Sequence, residues 1–194
     1  MRIIGGSVGG RLLTVPKGWA VRPTPDLVRQ ALFNSLGTIP DGAAVLDLFS
    51  GTGALGLECL SRGAREVVSV ELSAKHARCI RDNAARLGLP AERHELRVQD
   101  ALTGLRQLVQ AGRRFDLILA DPPFGTPTRG KPSESWSQRL VDAEETAQVL
   151  APGGIVALGH ARRDEIRIPP GWEEARELAH GDSVFRILRR RTTP

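Results

Sequence analysis

Short apolar segments alternate with helical segments along most of this chain, and this alternation limits its fold more than any other feature. The apolar segments, predicted as strands, are residues 43–49, 66–71, 95–99, 115–120 and 154–159. The segments between them, predicted as helices, are residues 54–62, 73–88, 102–111 and 137–150. Strands that alternate with helices form a parallel sheet covered on both faces. We therefore predict an α/β protein with a doubly wound sheet.

Different patterns flank this alternating region. Residues 1–20 predict a β-hairpin, because apolar residues lie on both sides of two Gly-Gly pairs. A helix follows, with Thr24 as the predicted N-cap, Pro25 at the first helical position and Leu36 near the end. The tail, at 173–178 and 184–188, predicts two antiparallel strands. We therefore expect an N-terminal unit of residues 1–38 and a main domain of residues 39–194.

Composition limits the class of protein and its partners. The net charge of +5 favours a polyanionic partner such as nucleic acid, although 24 of the 27 basic residues are Arg, which coding bias alone would also produce. No apolar run reaches the roughly 20 residues that span a bilayer, and the first residues lack a signal-peptide pattern. Cys59 and Cys79 lack metal-type spacing, and the four His are scattered. We expect a cytoplasmic protein without a metal.

The first predicted strand leads into a glycine-rich turn. Gly51-Thr52-Gly53 follows Asp47 and Phe49 and precedes a helix, whose free N–H groups then point into a crevice. The run from Gly51 to Gly56 matches the dinucleotide pattern G-x-G-x-x-G, but an acid at position 47 would repel a pyrophosphate. An acid there suits the ammonium group of S-adenosylmethionine, which we predict as the cofactor in place of a nicotinamide.

Acidic residues end four successive strands. Asp47, Glu71, Asp100 and Asp121 occupy these positions, and the carboxyl ends of parallel strands share one rim of a sheet. Each acid alone would also suit a solvated turn. Together they predict a cofactor site in which Glu71 accepts the ribose hydroxyls and Asp100 lies near the adenine amino group. The neighbouring residues Leu72 and Ala101 are included in this predicted site.

The sequence Asp121-Pro122-Pro123-Phe124 follows the fourth strand. A carboxylate and a carbonyl next to a proline can both accept hydrogen bonds from one amino group, and an aromatic ring nearby can stack on a base. A simple Asp-Pro turn is the alternative. We predict that Asp121 and the Pro122 carbonyl hold an exocyclic amino group and that Phe124 stacks on the nucleobase.

The chain resembles the class I methyltransferases that act on exocyclic amino groups, and most closely the RsmD family of bacterial 16S ribosomal RNA guanine-N2 methyltransferases. The resemblance covers nearly the whole chain. Its segments are Arg2–Gly6, Gly10-Arg11, Arg22–Thr24, Asp26, Val28-Arg29, Ala31–Asn34, Asp47–Phe49, Gly51–Glu58, Leu60–Ala64, Glu71, Asn83, Asp121–Phe124 and Gly181–Phe185. The chain departs from the family pattern at Gly159-His160, where an acid is expected, and in a longer loop at 125–136.

This resemblance implies a Rossmann-like sheet of seven strands, with an antiparallel last strand, and an N-terminal β-hairpin extension that grips RNA. It implies methyl transfer to N2 of a guanine in 16S ribosomal RNA, free or in the assembling 30S subunit. The expected RNA contacts are Arg2, Arg11, Lys17, Arg22 and Arg29, with Arg129 and Lys131 in the loop. Arg22 and Arg29 would alternatively pair with Asp26, and the basic run 189–191 would alternatively be a frayed, solvated end.

Other functions also fit parts of the sequence. The Asp-Pro-Pro-Phe sequence permits N6 methylation of adenine in DNA, although little of the chain is left for a separate domain that recognises DNA. Methylation of a protein or small-molecule amine, or a non-catalytic RNA-binding module on the same fold, are further alternatives. Trp19 and Trp136 would either stack on bases or lie buried. We expect a monomer, and the sequence does not indicate which guanine is modified.

Overall fold

The computed structural model describes residues 1–15, 24–124 and 135–191. Seven strands form one sheet in the order β3-β2-β1-β4-β5-β7-β6. The strands are β1 (Ala44–Leu48), β2 (Glu66–Glu71), β3 (His94–Val98), β4 (Phe115–Ala120), β5 (Leu150–Ala161), β6 (Trp172–His180) and β7 (Ser183–Arg190). The helices are α1 (Asp26–Leu36), α2 (Ala54–Ser61), α3 (Ala74–Leu87), α4 (Ala101–Gln110), α5 (Trp136–Asp142) and α6 (Glu144–Gln148), with a 3-10 turn at Ala91–Arg93.

The sheet confirms the predicted α/β fold. Strands β1 to β5 pair in parallel, and β7 runs antiparallel between β5 and β6. All five residues of β1 are buried, because helices cover both faces of the sheet. In the register, Leu48 lies beside Val70 of β2 and Ala120 of β4. The residues that follow these strands therefore meet at one rim.

The N-terminal segment folds back on itself and docks onto α2. Arg2 and Leu12 form an isolated antiparallel bridge. The hairpin predicted over residues 1–20 extends beyond the described residues and stays a prediction. The buried carboxylate of Glu58 accepts hydrogen bonds from the N–H groups of Ile4 (2.6 Å) and Gly5 (2.8 Å). Because Ile3 lies in the same hydrophobic core as α1, α2 and β1, the predicted boundary at residue 38 does not separate two cores.

Helix α1 begins later than predicted. Asp26 is its first residue and Pro25 is the N-cap, without a side-chain hydrogen bond to the helix. The hydroxyl of Thr24, the residue predicted as the cap, instead donates a hydrogen bond to Asp121 Oδ2. The prediction of Thr24 as N-cap was therefore wrong, because its hydroxyl bonds to Asp121, a residue distant in the sequence, and not to the first turn of α1.

The single helix predicted over 137–150 is also wrong. Ala143 adopts an extended conformation (ψ 122°) and separates α5 from α6. Leu150 already belongs to β5, where it pairs with Phe115. The basic run after residue 188 is not frayed, since Arg189 and Arg190 belong to β7 and the Arg191 side chain bonds the Trp172 carbonyl (3.1 Å).

The two cysteines are buried and free, as expected for reduced thiols, and burial raises the pKa of both. Among the residues that the structure describes, no helix is long and apolar enough to cross a membrane. No group of three or more His, Cys, Asp or Glu in the same residues is arranged to hold a metal ion.

Candidate active site

A cleft of about 330 Å3 opens at the carboxyl-terminal rim of the sheet. All four acids predicted from the strand ends line it, namely Asp47, Glu71, Asp100 and Asp121. Of the remaining residues predicted to hold a cofactor, Phe49, Gly51, Thr52, Leu72 and Ala101 also line the cleft. Gly53 is the N-cap of α2 with φ 80°, a conformation that glycine adopts without strain. The parallel sheet thus brings together residues from four successive strand ends.

Glu71 fixes the glycine-rich turn. Its Oε2 accepts a hydrogen bond from the Gly51 N–H (2.8 Å), and its Oε1 accepts one from the Ser73 N–H (2.8 Å). His76 Nδ1 lies 3.3 Å from Oε1. A carboxylate offers about four acceptor positions, so Glu71 retains capacity for ligand hydroxyls after these backbone bonds. The residue therefore both shapes the turn and faces the cleft.

Asp47 is an acid buried without a cationic side chain. It is 1% exposed, and its Oδ2 accepts the Gly56 N–H (3.1 Å). The pKa of Asp47 is raised to about 7, chiefly because burial desolvates the carboxylate; the Asp121 and Glu71 carboxylates add to the rise, and hydrogen bonds from Gly56 and Ser50 oppose it. No Lys or Arg among the described residues lies within ion-pair distance of Asp47. A positively charged ligand group would stabilise the ionised acid.

The raised pKa of Asp47 predicts a pH-dependent stability. The folded state retains a proton on Asp47 up to about pH 7, whereas the unfolded chain releases it near the ordinary value of 3.8. This contribution to stability is therefore fully present below about pH 3.8, falls by up to about 1.4 kcal/mol per pH unit as pH rises towards 7, and is lost above that value. We expect thermal unfolding to show a Tm that falls between about pH 4 and pH 7 and then levels off. Asp47→Asn should flatten this dependence, and Asp82→Asn on the exposed face of α3 should not.

The other end of the cleft combines apolar and polar groups. Leu72 is 71% exposed and so presents an apolar surface at the mouth. Asp100 is the N-cap of α4, because its Oδ1 accepts the Thr103 N–H (3.0 Å). Next to it, the Gln99 Nε2 is buried without a hydrogen-bond partner. An unsatisfied donor beside an acid suits a ligand ring that carries both acceptors and an amino group.

Asp121 lies at the end of β4 and meets the N-terminal segment. The Thr24 hydroxyl donates a hydrogen bond to its Oδ2. Burial raises the pKa of Asp121 to about 6, and the Thr24 hydrogen bond opposes this rise. Pro123 lines the cleft, whereas Pro122 is buried and Phe124 is 42% exposed, and neither of these two lines the cleft. The predicted roles of Pro122 and Phe124 remain proposals.

Gly159 leaves space for Asp121. Residues Ala120 and Leu158 pair between β4 and β5, so Asp121 and Gly159 follow them side by side. A Cβ on Gly159 would lie 2.5 Å from Asp121 Oδ1 and 3.2 Å from the ring of Phe185. In this chain, the carboxylate of Asp121 therefore occupies the space that a side chain at position 159 would need.

For the methyl transfer that the sequence predicts, Gly159→Ala is expected to lower kcat about 10- to 100-fold, because moving the predicted acceptor of the amino group by about 1 Å can cost 10²-fold. The Asp121 carboxylate would have to move away from the added methyl group. Gly171→Ala is the matched control, since a Cβ there meets no atom within 4 Å and Gly171 does not have a positive φ. Initial rates and thermal unfolding of both variants test this. Normal turnover by Gly159→Ala would contradict the described position of Asp121.

Two aromatic residues form one wall of the cleft. Phe49 has a positive φ of 58°, unusual for a residue with a side chain, and its ring centroid lies 5.4 Å from that of Trp136. The Arg139 guanidinium lies 4.0 Å from the Trp136 ring centroid. Trp136 begins α5 and is partly buried against Phe49. The sequence analysis placed Trp136 in a loop and left its role open. Its contact with Phe49 depends on the folded chain, because the two residues are far apart in the sequence.

The residues predicted to contact RNA differ in their exposure to solvent. Arg29 is fully buried, with NH2 bonded to Asp26 Oδ1 (2.7 Å) and to the Arg2 carbonyl (2.5 Å). Its assignment as an RNA contact was wrong, and the alternative pairing with Asp26 is the one observed. The Arg2 side chain is 61% exposed, and Arg11 is exposed and bonds the Leu87 carbonyl (2.7 Å). Four further predicted residues lie outside the described ones, namely Lys17, Arg22, Arg129 and Lys131, as does Trp19.

Comparison with known proteins gives consistent matches over the whole chain. The family model described as Conserved hypothetical protein 95 matches residues 1–189. Ribosomal RNA small subunit methyltransferase D of Haemophilus influenzae is 39% identical over 187 residues, which cover 96% of this chain and 92% of that protein. The solved structure "Putative methyltransferase yhhF from Escherichia coli" has 32% identity and a TM-score of 0.76, covering 98% of this chain and 97% of the other.

A more distant solved structure shares the fold. It is described as "SMU.776, a putative methyltransferase complexed with SAH" and is 16% identical, with a TM-score of 0.68. The aligned region covers 84% of this chain and 50% of that protein. At this identity the likeness shows a common architecture of sheet and helices.

Proposed function

The chain belongs to the RsmD family, and we propose that it transfers a methyl group from S-adenosylmethionine to the exocyclic N2 of a guanine in 16S ribosomal RNA. One observation carries the proposal: Asp121 of the Asp-Pro-Pro-Phe sequence lines the same cleft as Asp47, Glu71 and Asp100. An acceptor for an amino group thus lies beside a set of acids that fits a cationic nucleoside. The relative from Haemophilus influenzae is named as a small-subunit ribosomal RNA methyltransferase, which supports the same class of substrate.

The cleft residues fit S-adenosylmethionine. Asp47, buried without a cation among the described side chains, would bind the ammonium group of its methionine portion. Glu71 would accept the ribose hydroxyls, and Asp100 with the unpartnered Gln99 Nε2 would contact the adenine. The exposed Leu72 would pack against the adenine ring. When bound, the cofactor supplies a methyl group made electrophilic by the positive sulfur.

Asp121 is proposed to orient the nucleophile. The lone pair of the guanine amino group is delocalised into the ring, so the nitrogen attacks poorly while it stays planar. Asp121 and the Pro122 carbonyl would accept hydrogen bonds from the two N–H groups and favour a pyramidal nitrogen. The new N–C bond would form as the bond between the methyl carbon and the sulfur breaks, and the positively charged amine would then lose one of these protons to Asp121 or to solvent. Positioning of this kind supplies roughly 7–11 kcal/mol of a barrier in favourable cases. The base must be unstacked or single-stranded to reach the cleft, and Phe124 would stack on it.

The N-terminal segment is proposed to contact the phosphate backbone through Arg2 and Arg11. If both arginines neutralise phosphates, replacing both with glutamine should weaken RNA binding and reduce the slope of log K against log salt by about 1.4 to 1.8. Binding isotherms between low and moderate salt measure this slope. Arg114→Gln is the matched control, because Arg114 is exposed just before β4, at the end of the strand opposite Asp121. An unchanged slope in the double variant would exclude this surface.

Nucleoside analysis tests the function. Purified protein is incubated with methyl-labelled S-adenosylmethionine and one of three substrates, namely unmethylated 16S RNA, small subunits that contain it, or duplex DNA. Digestion and chromatography then identify the product, and we expect N2-methylguanosine from RNA or subunits. N6-methyladenine from DNA would show that the enzyme methylates adenine in DNA, the alternative that the Asp-Pro-Pro-Phe sequence permits. Binding of RNA without any methylated product on any substrate would favour a non-catalytic module.

A further inference from the structure

The hydroxyl of Thr24 forms a contact that helix formation does not require. It donates to Asp121 Oδ2, although the two residues are 97 positions apart in the chain. Thr24 does not cap α1, since Pro25 is the N-cap and has no side-chain hydrogen bond to the helix. The Thr24 side chain lines the cleft with Asp121. Its hydroxyl is therefore committed to the active site and not to local structure.

The chain on the other side of Thr24 is held firmly. Asp26, two residues later, accepts hydrogen bonds from Arg29 (2.7 Å) and from Arg2 (3.3 Å). Arg29 in turn donates to the carbonyl of Arg2. Helix α1 then packs into the core through Val28, Leu32, Phe33 and Leu36. The position of Thr24 thus depends on the N-terminal segment, the part of the chain to which we assign RNA contacts.

The rest of the described chain gives Asp121 no comparable support. Within the described ranges, no side chain other than Thr24 donates a hydrogen bond to its carboxylate. The neighbouring strand β5 presents Gly159, which has no side chain, and Phe185 of β7 lies behind it. On the adjacent strand β1, the nearby charged group is the Asp47 carboxylate, and Asp47 and Asp121 repel each other. Among the residues that the structure describes, the Thr24 hydroxyl is therefore the group that orients this acid.

We propose that Thr24 is a positioning residue for methyl transfer: its hydroxyl holds one oxygen of Asp121 and leaves the other oxygen free to accept the target amino N–H. This inference rests on the proposed function. The inference adds to the proposed function that the orientation of the Asp121 carboxylate depends on the N-terminal segment. Because that segment also carries Arg2 and Arg11, RNA contacts and alignment of the acid would be coupled through Thr24.

The hydrogen bond also affects protonation. A donor to a carboxylate stabilises the ionised form, so the Thr24 hydroxyl holds the pKa of Asp121 lower than burial alone would. Loss of the hydroxyl should raise this pKa and move the acidic limb of the kcat profile to higher pH. Titration of Asp47 would instead change cofactor affinity, so kcat is compared at saturating cofactor. A purely structural role for Thr24 would not move the limb.

The test compares Thr24→Val, which keeps the shape, with Thr24→Ser, which keeps the hydroxyl. Thr24→Val is expected to lower kcat about 10- to 100-fold, the factor that a hydrogen bond to a charged group is worth. The KM for cofactor should stay within about threefold, because Glu71 and Asp47 are untouched. Thr24→Ser should restore kcat to within about threefold of wild type and restore the pH profile.

Several outcomes distinguish the two proposals. Wild-type kcat and an unmoved acidic limb in Thr24→Val would overturn the role of Thr24, as would equal losses in the Val and Ser variants. If Thr24→Val does not fold, Thr24→Ala gives the same comparison with a smaller side chain. If the wild-type enzyme methylates another base, the proposed guanine target fails. In that case the shift of the acidic limb still reports on Thr24 and Asp121.

Discussion

Asp121→Ala is expected to abolish methyl transfer, with a loss of about 10³-fold or more in kcat, since positioning supplies so much of this barrier. The variant removes the acceptor for the amino group and leaves the rest of the cleft in place. The Kd for S-adenosylmethionine should stay within about threefold, because the interactions lost belong to the transition state. Removing a partly buried acid with a raised pKa should also leave the fold intact, so thermal unfolding serves as the folding control.

Asp121→Asn is the matched variant. It keeps the shape and one acceptor oxygen, and it can still bond Thr24, so we expect a smaller loss of turnover than for alanine. Single-turnover rates at saturating cofactor and RNA give the comparison. Near-normal methylation by Asp121→Ala would remove the mechanism, and a large loss of cofactor affinity would place Asp121 in the cofactor site instead.

Glu71→Ala is expected to weaken binding of S-adenosylmethionine about 100-fold, as expected when charge-assisted hydrogen bonds are lost and their buried partners are left unpaired. The variant would remove the proposed acceptor of the ribose hydroxyls. It would also release the N–H groups of Gly51 and Ser73, which fix the turn. Isothermal titration with S-adenosylhomocysteine measures the Kd without turnover.

Glu66→Ala is the control for Glu71, because Glu66 begins the same strand and pairs with Arg113 away from the cleft. Glu71→Gln should fall between wild type and alanine, since its amide keeps one acceptor oxygen. Unchanged cofactor affinity in Glu71→Ala would exclude the ribose role. A similar loss in Glu66→Ala would indicate that the strand, and not its terminal acid, was affected.

The sequence predicted what depends on local pattern and chain direction. Strands in a parallel sheet point the same way, so acids at positions 47, 71, 100 and 121 had to share one rim. Ser73 and Gly88, predicted to bound a helix, are the N-cap and C-cap of α3, because their roles depend on neighbouring backbone groups. The five parallel strands and the three helices between the first four of them therefore followed from periodicity and capping.

What the sequence could not predict depends on partners distant in the chain. Thr24 looks like an N-cap until the fold brings Asp121 to its hydroxyl. Arg29 looks like a surface cation until Glu58 and Asp26 surround it in the buried junction between α1 and α2. Trp136 and Gly159 had no local signal for their contacts with Phe49 and Asp121. Each of these positions is decided by tertiary packing, which a single sequence does not display.

A crystal structure with S-adenosylhomocysteine bound tests the central claim most directly. We expect the ribose hydroxyls on Glu71, the adenine beside Asp100 and Leu72, the ammonium group at Asp47, and the sulfur facing Asp121. Absence of the ligand from this cleft in a complex that binds it in solution, or a sulfur directed away from Asp121, would contradict the account.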